Sequence, residues 1–478
     1  MIKEKKMVAF VDFSYNFYDK HAIYCLSSFM KENGINVEYI HEKSFSKALI
    51  RIKQINPGVL LYSAFSTDIN TFIEFDGIAK KKIKVKSVIG GHGPSLERET
   101  LKNSTIDALC IGEGEHAIVD YILNGFYCHK NIISNSNNSN GNVRLDEYYP
   151  LVEMDLLPFP NRDIVYKDDN ILRLMPTKQF LSGRGCPFKC TYCFNHVYNE
   201  MFKEGGPIVR KKSVDYLINE ILYVKEKYPL NNVAFQDDTF ILNRKWLFEF
   251  CERFPKEVGI TYTCNVRANM INEDIVRALK ESKCVCVNWS IESGNEFLRN
   301  KLLKRQMSNE QILETANLLN KYKIPHRIGN IIGLPGEKYE EMLETLKLNI
   351  LANPILGLAN IFVPFPGLEL TDYAKKNKYL SDESADNLPK NFFTRSSLDV
   401  TSDENNRIQK LMCLFPILTK YPSLFHNTEV YNILLKVPKL FLRIIYEIYS
   451  AYKLSTLYKV KTSFGVKVLI ISRYLKNI

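Results

Sequence analysis

Between positions 7 and 124 the chain alternates short, nearly continuous apolar runs with longer stretches whose apolar residues recur every three or four positions. The runs at 7–12, 35–40, 58–63, 86–90 and 106–112 are β-rich. Helix-length stretches such as 18–33, 67–81 and 113–123 separate or follow them. Strands without polar alternation are buried on both faces, so the pattern predicts a parallel sheet covered by helices on each side. A second series starts at 178, with runs at 179–182, 232–236, 260–265, 285–290, 326–332 and 358–363. Helical stretches at 214–227, 245–254, 273–282, 309–321 and 338–351 separate them. Six such β/α repeats predict a barrel or partial barrel.

A change of character divides the two series. Residues 131–142 are almost all Asn, Ser, Ile and Gly, which predicts a surface loop, and Pro150, Pro158 and Pro160 then punctuate an extended connector. The chain therefore reads as an α/β protein in four parts. Residues 1–125 form a Rossmann-like, doubly wound unit of flavodoxin type, 126–175 a linker, 176–380 a partial (β/α)6 barrel and 381–478 a helical C-terminal region. Ligands are expected at the carboxyl ends of both sets of strands. Residues 380–425 read as irregular and, at first, polar. Within 439–454 the polar residues Lys439, Arg443, Glu447 and Ser450 recur every three or four positions. That is one narrow polar stripe on an otherwise apolar helix, and 463–476 repeats it more weakly.

Composition narrows the class. At 478 residues, 45% apolar and 24% charged, the chain is neither disordered, collagen-like nor a small disulfide scaffold. The formal charge is +11, and +7 of it falls in the last 58 residues, where nine Lys and Arg face two Glu. No apolar signal core follows residues 1–6, and no run of about 18 apolar residues predicts a spanning helix. Eleven cysteines without a secretion signal fit a reducing, cytoplasmic setting. The basic tail admits two readings: helices packed on the barrel with their lysines in water, or a segment at 430–478 making peripheral contact with an anionic membrane. No RNA- or DNA-binding module accompanies the charge, so nucleic acid is not an expected partner.

Three cysteines carry the chemistry. Cys186-Pro187-Phe188-Lys189-Cys190-Thr191-Tyr192-Cys193 is C-x3-C-x2-C on a glycine-led loop after the first strand of the second series. Three thiolates within eight residues can ligate three irons of a 4Fe–4S cluster, leaving the fourth open. Structural zinc wants four ligands, often in two separated pairs; His196 is the one residue nearby that would complete such a set. Cys284 and Cys286 alternate on a strand, which fits core packing better than ligation.

With Tyr192 before the last cysteine, this spacing resembles that of the radical S-adenosylmethionine (radical SAM) enzymes. The lead-in Ser182-Gly183-Arg184-Gly185-Cys186-Pro187 is similar to that of their cobalamin-binding branch. The turns Gly90-Gly91-His92-Gly93-Pro94 and Gly112-Glu113-Gly114-Glu115 at expected strand ends, and the connector Leu156-Leu157-Pro158-Phe159-Pro160, fit the same branch. Each glycine turn alone is explained by a tight strand-to-helix connection.

The resemblance implies the following roles. Cys186, Cys190 and Cys193 hold the cluster, with Tyr192 beside it. Asp237 and Asp238 approach the SAM amine, Arg267 its carboxylate, and Ser290, Glu292 and Ser293 its ribose. The strand leading to Gly333 and Pro335 contacts adenine. Ser63, Gly90, Gly91, His92, Gly93, Gly112, Glu113, Gly114 and Glu115 contact cobalamin. Implied cofactors are thus a 4Fe–4S cluster, SAM and cobalamin, with an electron donor such as flavodoxin or ferredoxin. The implied reaction is methylation of an unactivated carbon, or of a phosphinate phosphorus, in a small-molecule or lipid substrate, through a 5′-deoxyadenosyl radical and methylcobalamin. A non-methylating cyclisation, rearrangement or oxidation uses the same parts, and a cluster-binding accessory protein without turnover is the non-enzymatic alternative. One departure stands out. The Asp-x-His-x-x-Gly loop that supplies a lower cobalamin ligand is absent: Asp12-Phe13-Ser14-Tyr15-Asn16-Phe17 follows the first strand, and His21 reads as a helical surface residue.

Overall fold

The computed structural model describes residues 7–102, 104–128, 130–134, 147–386, 388–389 and 392–457. Its first sheet contains β1 (Met7–Asp12), β2 (Asn36–His41), β3 (Val59–Ser63), β4 (Lys86–Gly90), β5 (Ala108–Cys110) and β6 (Ile132–Ser134). The order is β2-β1-β3-β4-β5-β6, the first five parallel and β6 antiparallel to β5. This is the predicted doubly wound arrangement, with its switch point between β1 and β3. The apolar runs are continuous because both faces are covered. Val8 and Phe10 pack in one core and Ala9 and Val11 in the other.

The polar segment predicted as a loop begins differently. Asn131 is buried at φ 58° and its side-chain amide donates to the Ile111 carbonyl (2.8 Å) while accepting the Tyr149 N–H (2.7 Å). That amide splices the start of the segment onto the sheet as β6. Residues 135–142 lie outside the described residues, as does the weaker stripe at 463–476.

The second sheet is built from β7 (Thr177–Phe180), β10 (Asn232–Phe235), β11 (Thr261–Asn265), β12 (Cys284–Glu292), β13 (His326–Ile332) and β14 (Leu356–Ile361). All six are parallel in the order β14-β13-β12-β11-β10-β7, with β7 and β14 at the two edges, so the barrel is partial as predicted. Its core is rich in rings: Phe235, Phe240, Phe250 and Tyr262 stand with centroids 4.6–6.1 Å apart. Two short strands not visible in the sequence, β8 (Gly183–Arg184) and β9 (Arg210–Lys211), pair antiparallel beside the barrel mouth.

The stretch expected to be irregular after 380 contains a 19-residue helix, Ser402–Lys420, opened by a Thr401/Glu404 capping box. It lies against β14, and the last described helix, Lys439–Leu457, rests on it through Leu442 and Tyr446.

Arg162 in the linker joins the two sheets. Its guanidinium is 4.3 Å from the Phe180 ring of β7 and 3.2 Å from Asp19 of the first unit. Asp19 also accepts from Tyr24 (2.9 Å), Tyr166 (2.7 Å) and the Gln179 N–H (2.7 Å). Burial opposes ionisation there, but the Arg162 charge and these donors still hold the Asp19 carboxyl below its usual range.

Candidate active site

The cysteine loop is fixed by its neighbours. Gly185 has φ 91°, and a Cβ there would stand 2.1 Å from the Ile208 carbonyl oxygen, so only glycine fits between β8 and that strand's partner segment. Past the loop, Cys193 is the N-cap of helix Phe194–Met201, and Asn199 reaches back to the Cys186 carbonyl (2.8 Å).

Each sulfur meets a donor. The Cys190 thiol lies 3.7 Å from an Arg267 nitrogen, and Cys193 lies 3.7 Å from the Asn195 amide. The Phe188 N–H faces Cys186 and favours its thiolate. Burial pushes the Cys186 thiol up and the Cys193 thiol up to about 12, so ligation must displace protons from them. Among the described residues no three His, Cys, Asp or Glu converge on one ion. An iron–sulfur cluster offers each thiolate its own iron, so three thiolates on one loop suffice for it. His196 stands 3.7 Å from Glu369. The donor set therefore fits a cluster.

Beside the sulfurs lies a coupled polar group. The Tyr192 hydroxyl donates to Glu292 (2.9 Å) and accepts from Arg305 (3.0 Å), whose guanidinium is 3.6 Å from the same carboxylate. A register shift in β12 and a φ of 68° at Glu292 turn this carboxylate out of the strand. Arg305 also donates to the Ser290 carbonyl, and Arg267 donates to the Arg305 carbonyl. Arg267 in turn stacks 3.9 Å from the Phe188 ring inside the cysteine loop. Arg305 is the member that sequence reading missed. It is 113 positions from Tyr192 and carries no local signal.

The other predicted SAM residues divide. Asp238 is solvent-accessible and close enough to Cys186 and Cys193 to raise their pKa values. Asp237 is spent elsewhere: it accepts from the Ser182 N–H (3.0 Å), the Ser182 hydroxyl (2.5 Å) and Lys211 (2.9 Å). Ser293 is buried, its carbonyl held by Arg299 (2.9 Å). Gly333 turns at φ 71° and Pro335 is buried next to it. Glu337 accepts from the Leu334 N–H (3.0 Å) and keeps one buried oxygen without a partner.

At the first sheet, Ser63, Gly90, Gly91, His92 and Gly93 gather at the carboxyl ends of β3 and β4. A Cβ on Gly93 would stand 2.6 Å from the Phe65–Ser66 peptide, so the turn is both tight and bare of side chains. The His92 ring is accessible and lies 4.4 Å edge-on from Phe194 and 5.7 Å from the exposed Phe65. A backbone floor with an aromatic rim fits a broad, flat cofactor such as a corrin.

Gly112, Glu113, Gly114 and Glu115 have another place. Gly112 lies against the Phe202 ring. Glu113 accepts from Arg184 (2.9 Å), twice from Arg210 (2.8 and 2.9 Å) and from the Val152 N–H (2.9 Å), while Glu115 accepts from Arg184 (2.6 Å). Both acids latch the first unit to the strand that leads into Cys186. The histidine expected at the surface, His21, is in the same seam. Its Nε2 is buried without a partner and burial pulls its pKa down to about 3. Asp12 is likewise taken, by Ser14, Tyr39 and Lys20.

An open parallel barrel carrying three cysteines with separate donors is joined at its mouth to a doubly wound sheet. Residues 180–348 match the radical SAM superfamily and residues 12–122 match the B12 binding domain. The chain thus pairs a B12 binding domain with a radical SAM domain, and the cofactors of that pairing are a 4Fe–4S cluster, SAM and cobalamin.

An uncharacterized methyltransferase of Pyrococcus horikoshii is 29% identical over 70% of this chain and 73% of its own length. The anaerobic magnesium-protoporphyrin IX monomethyl ester cyclase of Rubrivivax gelatinosus is 24% identical over 60% of this chain, which spans about half of that enzyme (52%). Among solved structures, the cobalamin-dependent SAM radical enzyme OxsB, with aqua-cobalamin and SAM bound, superposes with a TM-score of 0.67 at 14% identity, over 99% of this chain and 75% of its own. The radical SAM methyltransferase TsrM of Kitasatospora setae, with cobalamin and a 4Fe–4S cluster bound, gives 0.62 at 13% identity over 78% and 75%. At these identities the likeness is one of fold. Among the described residues no helix is long and apolar enough to cross a membrane.

Proposed function

We propose that the protein is a cobalamin-dependent radical SAM methyltransferase acting on an unactivated carbon or a phosphinate phosphorus of a small molecule. The observation that carries this reading is the contact of His92 with Phe194, at 4.4 Å. It brings the carboxyl edge of the B12-type sheet against Phe194, the residue that follows Cys193, so the two cofactors would lie side by side.

When bound, the cluster supplies the electron that splits SAM to a 5′-deoxyadenosyl radical, and cobalamin supplies the methyl group that the substrate takes up. Cys186, Cys190 and Cys193 would hold the cluster, and the donors on their sulfurs tune its potential. Asp238, accessible beside the cysteines, would take the SAM amine, since Asp237 is engaged by Ser182 and Lys211. Glu292, fixed by Tyr192 and Arg305, and Ser290 would meet the ribose hydroxyls, and Gly333 and Pro335 would border adenine. Ser63, Gly90, Gly91, His92 and Gly93 would receive cobalamin. A flavodoxin or ferredoxin would deliver the electron.

The cyclase relationship favours a second reading, radical chemistry without methyl transfer. SAM with a deuterated methyl group separates them in the reconstituted enzyme. Methyl transfer forms S-adenosylhomocysteine together with 5′-deoxyadenosine, and only when cobalamin is present. Deoxyadenosine without S-adenosylhomocysteine would sink the methyltransferase reading and leave the second.

A further inference from the structure

We infer that the C-terminal helix is a docking surface for an anionic lipid bilayer. Helix Lys439–Leu457 turns Leu442 and Tyr446 onto helix Ser402–Lys420. Its other side carries Leu440, Phe441, Ile444, Ile445, Ile448 and Tyr452, each between 46 and 67% exposed. At about 100° per residue these six fall in one arc of roughly 140°. The preceding helix, Thr428–Lys436, adds Ile433 at 62% exposed. The polar stripe read from the sequence does not occupy the outer face: Ser450 is buried, and Arg443 and Glu447 are half-buried at the flank. Soluble monomers seldom leave so many contiguous large apolar side chains in water, so this face has an occupant.

Charge selects that occupant. Arg443 lies about 60° beyond one edge of the arc and Lys453 about 80° beyond the other. Lys436 and Lys439 precede the helix body and are exposed. The one acid beside the arc, Glu447, is paired with Arg443 at 3.6 Å. Cations on both shoulders of an apolar face sit at headgroup level while the apolar side chains reach the acyl boundary. The chain also continues for 478 − 457 = 21 residues, which carry five Lys or Arg and no Asp or Glu. An anionic leaflet attracts such a basic run, whereas a second copy of this chain would bring the same charge to the contact. Among the described residues no helix is long and apolar enough to cross a bilayer.

The test is flotation of the full-length protein with phosphatidylcholine vesicles and with phosphatidylcholine/phosphatidylglycerol vesicles. The protein is expected to float with the anionic vesicles and far less with the neutral ones. Ile444→Glu/Ile448→Glu should lower the bound-to-free ratio by about 100-fold, since two apolar side chains then oppose insertion. Lys436→Gln/Lys453→Gln should lower binding to anionic vesicles only. Both pairs lie on the surface, and an unchanged far-ultraviolet circular dichroism spectrum confirms the fold. The inference is overturned if the protein floats with neither composition or if I444E/I448E floats like the parent. It is equally overturned if the parent is a dimer that I444E/I448E disperses while neither binds vesicles, which would give the face to a second copy.

Discussion

Replacing Glu113 with Ala removes the acceptor that two guanidiniums share across the seam. Glu113 has a side chain only 12% exposed, facing Arg184 (21%) and Arg210 (9%). Burial alone would raise its pKa, but the charge of Arg184 and the bidentate bonds of Arg210 overcome that and lower it to about 2. Against an ordinary glutamate near 4.5, that shift corresponds to about 3 kcal/mol at neutral pH. An independent route agrees, because removing one partner of a buried ion pair costs about 3–5 kcal/mol. The folded-state pKa is depressed, so this stability is present above pH 4.5 and is lost as pH falls towards 2. The Val152 N–H and the loop entering Cys186 should therefore open more readily in E113A. Hydrogen exchange followed by mass spectrometry should show peptides covering 150–154 and 183–193 exchanging about 100-fold faster at neutral pH. A cycle with Arg210→Ala should show coupling, the double variant losing less than the two single losses added. Unchanged exchange in both peptides, with parental iron content, would refute the latch.

Three further outcomes follow from the same geometry. Gly185→Ala places a Cβ 2.1 Å from the Ile208 carbonyl oxygen at a left-handed φ, so iron per chain after reconstitution should fall to a small fraction of the parent's; a full complement would contradict the loop geometry. His326 is buried with its Nδ1 accepting from Trp289 (3.1 Å), and burial pulls its pKa down to about 4. The stability it contributes is complete above about pH 6.5 and is lost as pH falls towards 4, amounting to about 3 kcal/mol. Urea midpoints of the parent should therefore drop more between pH 7 and 5 than those of His326→Gln. Burial also raises Glu337 to about 8, which reverses the sign: the folded state keeps a proton that the unfolded chain releases above pH 4.5. Stability is lost as pH rises from 4.5 to 8, and Glu337→Gln should flatten that slope in the same urea titration.

The strands of both sheets were legible because burial on two faces leaves an uninterrupted apolar run; β1, β4 and β13 begin and end where the sequence predicts. The three cysteines were legible because a cluster needs them close in sequence. What escaped was set by pairing at a distance. The two-residue strands β8 and β9 have no period to read, and Arg305 meets Tyr192 across 113 positions. Glu113 and Glu115 looked like cofactor contacts in a glycine turn, since nothing local reveals that Arg184 and Arg210 come to them from 69 to 97 residues away. Asp237 was read as a ligand for the same reason, its partner Lys211 being supplied by β9. In the C-terminal helix the stripe was seen but its direction was not, because only the packing of Leu442 and Tyr446 on helix Ser402–Lys420 decides which face meets water.

The central claim is that Cys186, Cys190 and Cys193 hold a cluster whose open iron takes SAM. The direct measurement is 5′-deoxyadenosine, followed by mass spectrometry after anaerobic reconstitution with iron and sulfide and reduction by dithionite, in the parent and in Cys186→Ala. Deoxyadenosine is expected from the parent and none from the variant. A parent protein with a complete cluster that leaves SAM intact, or a Cys186→Ala variant that still cleaves it, would contradict the account.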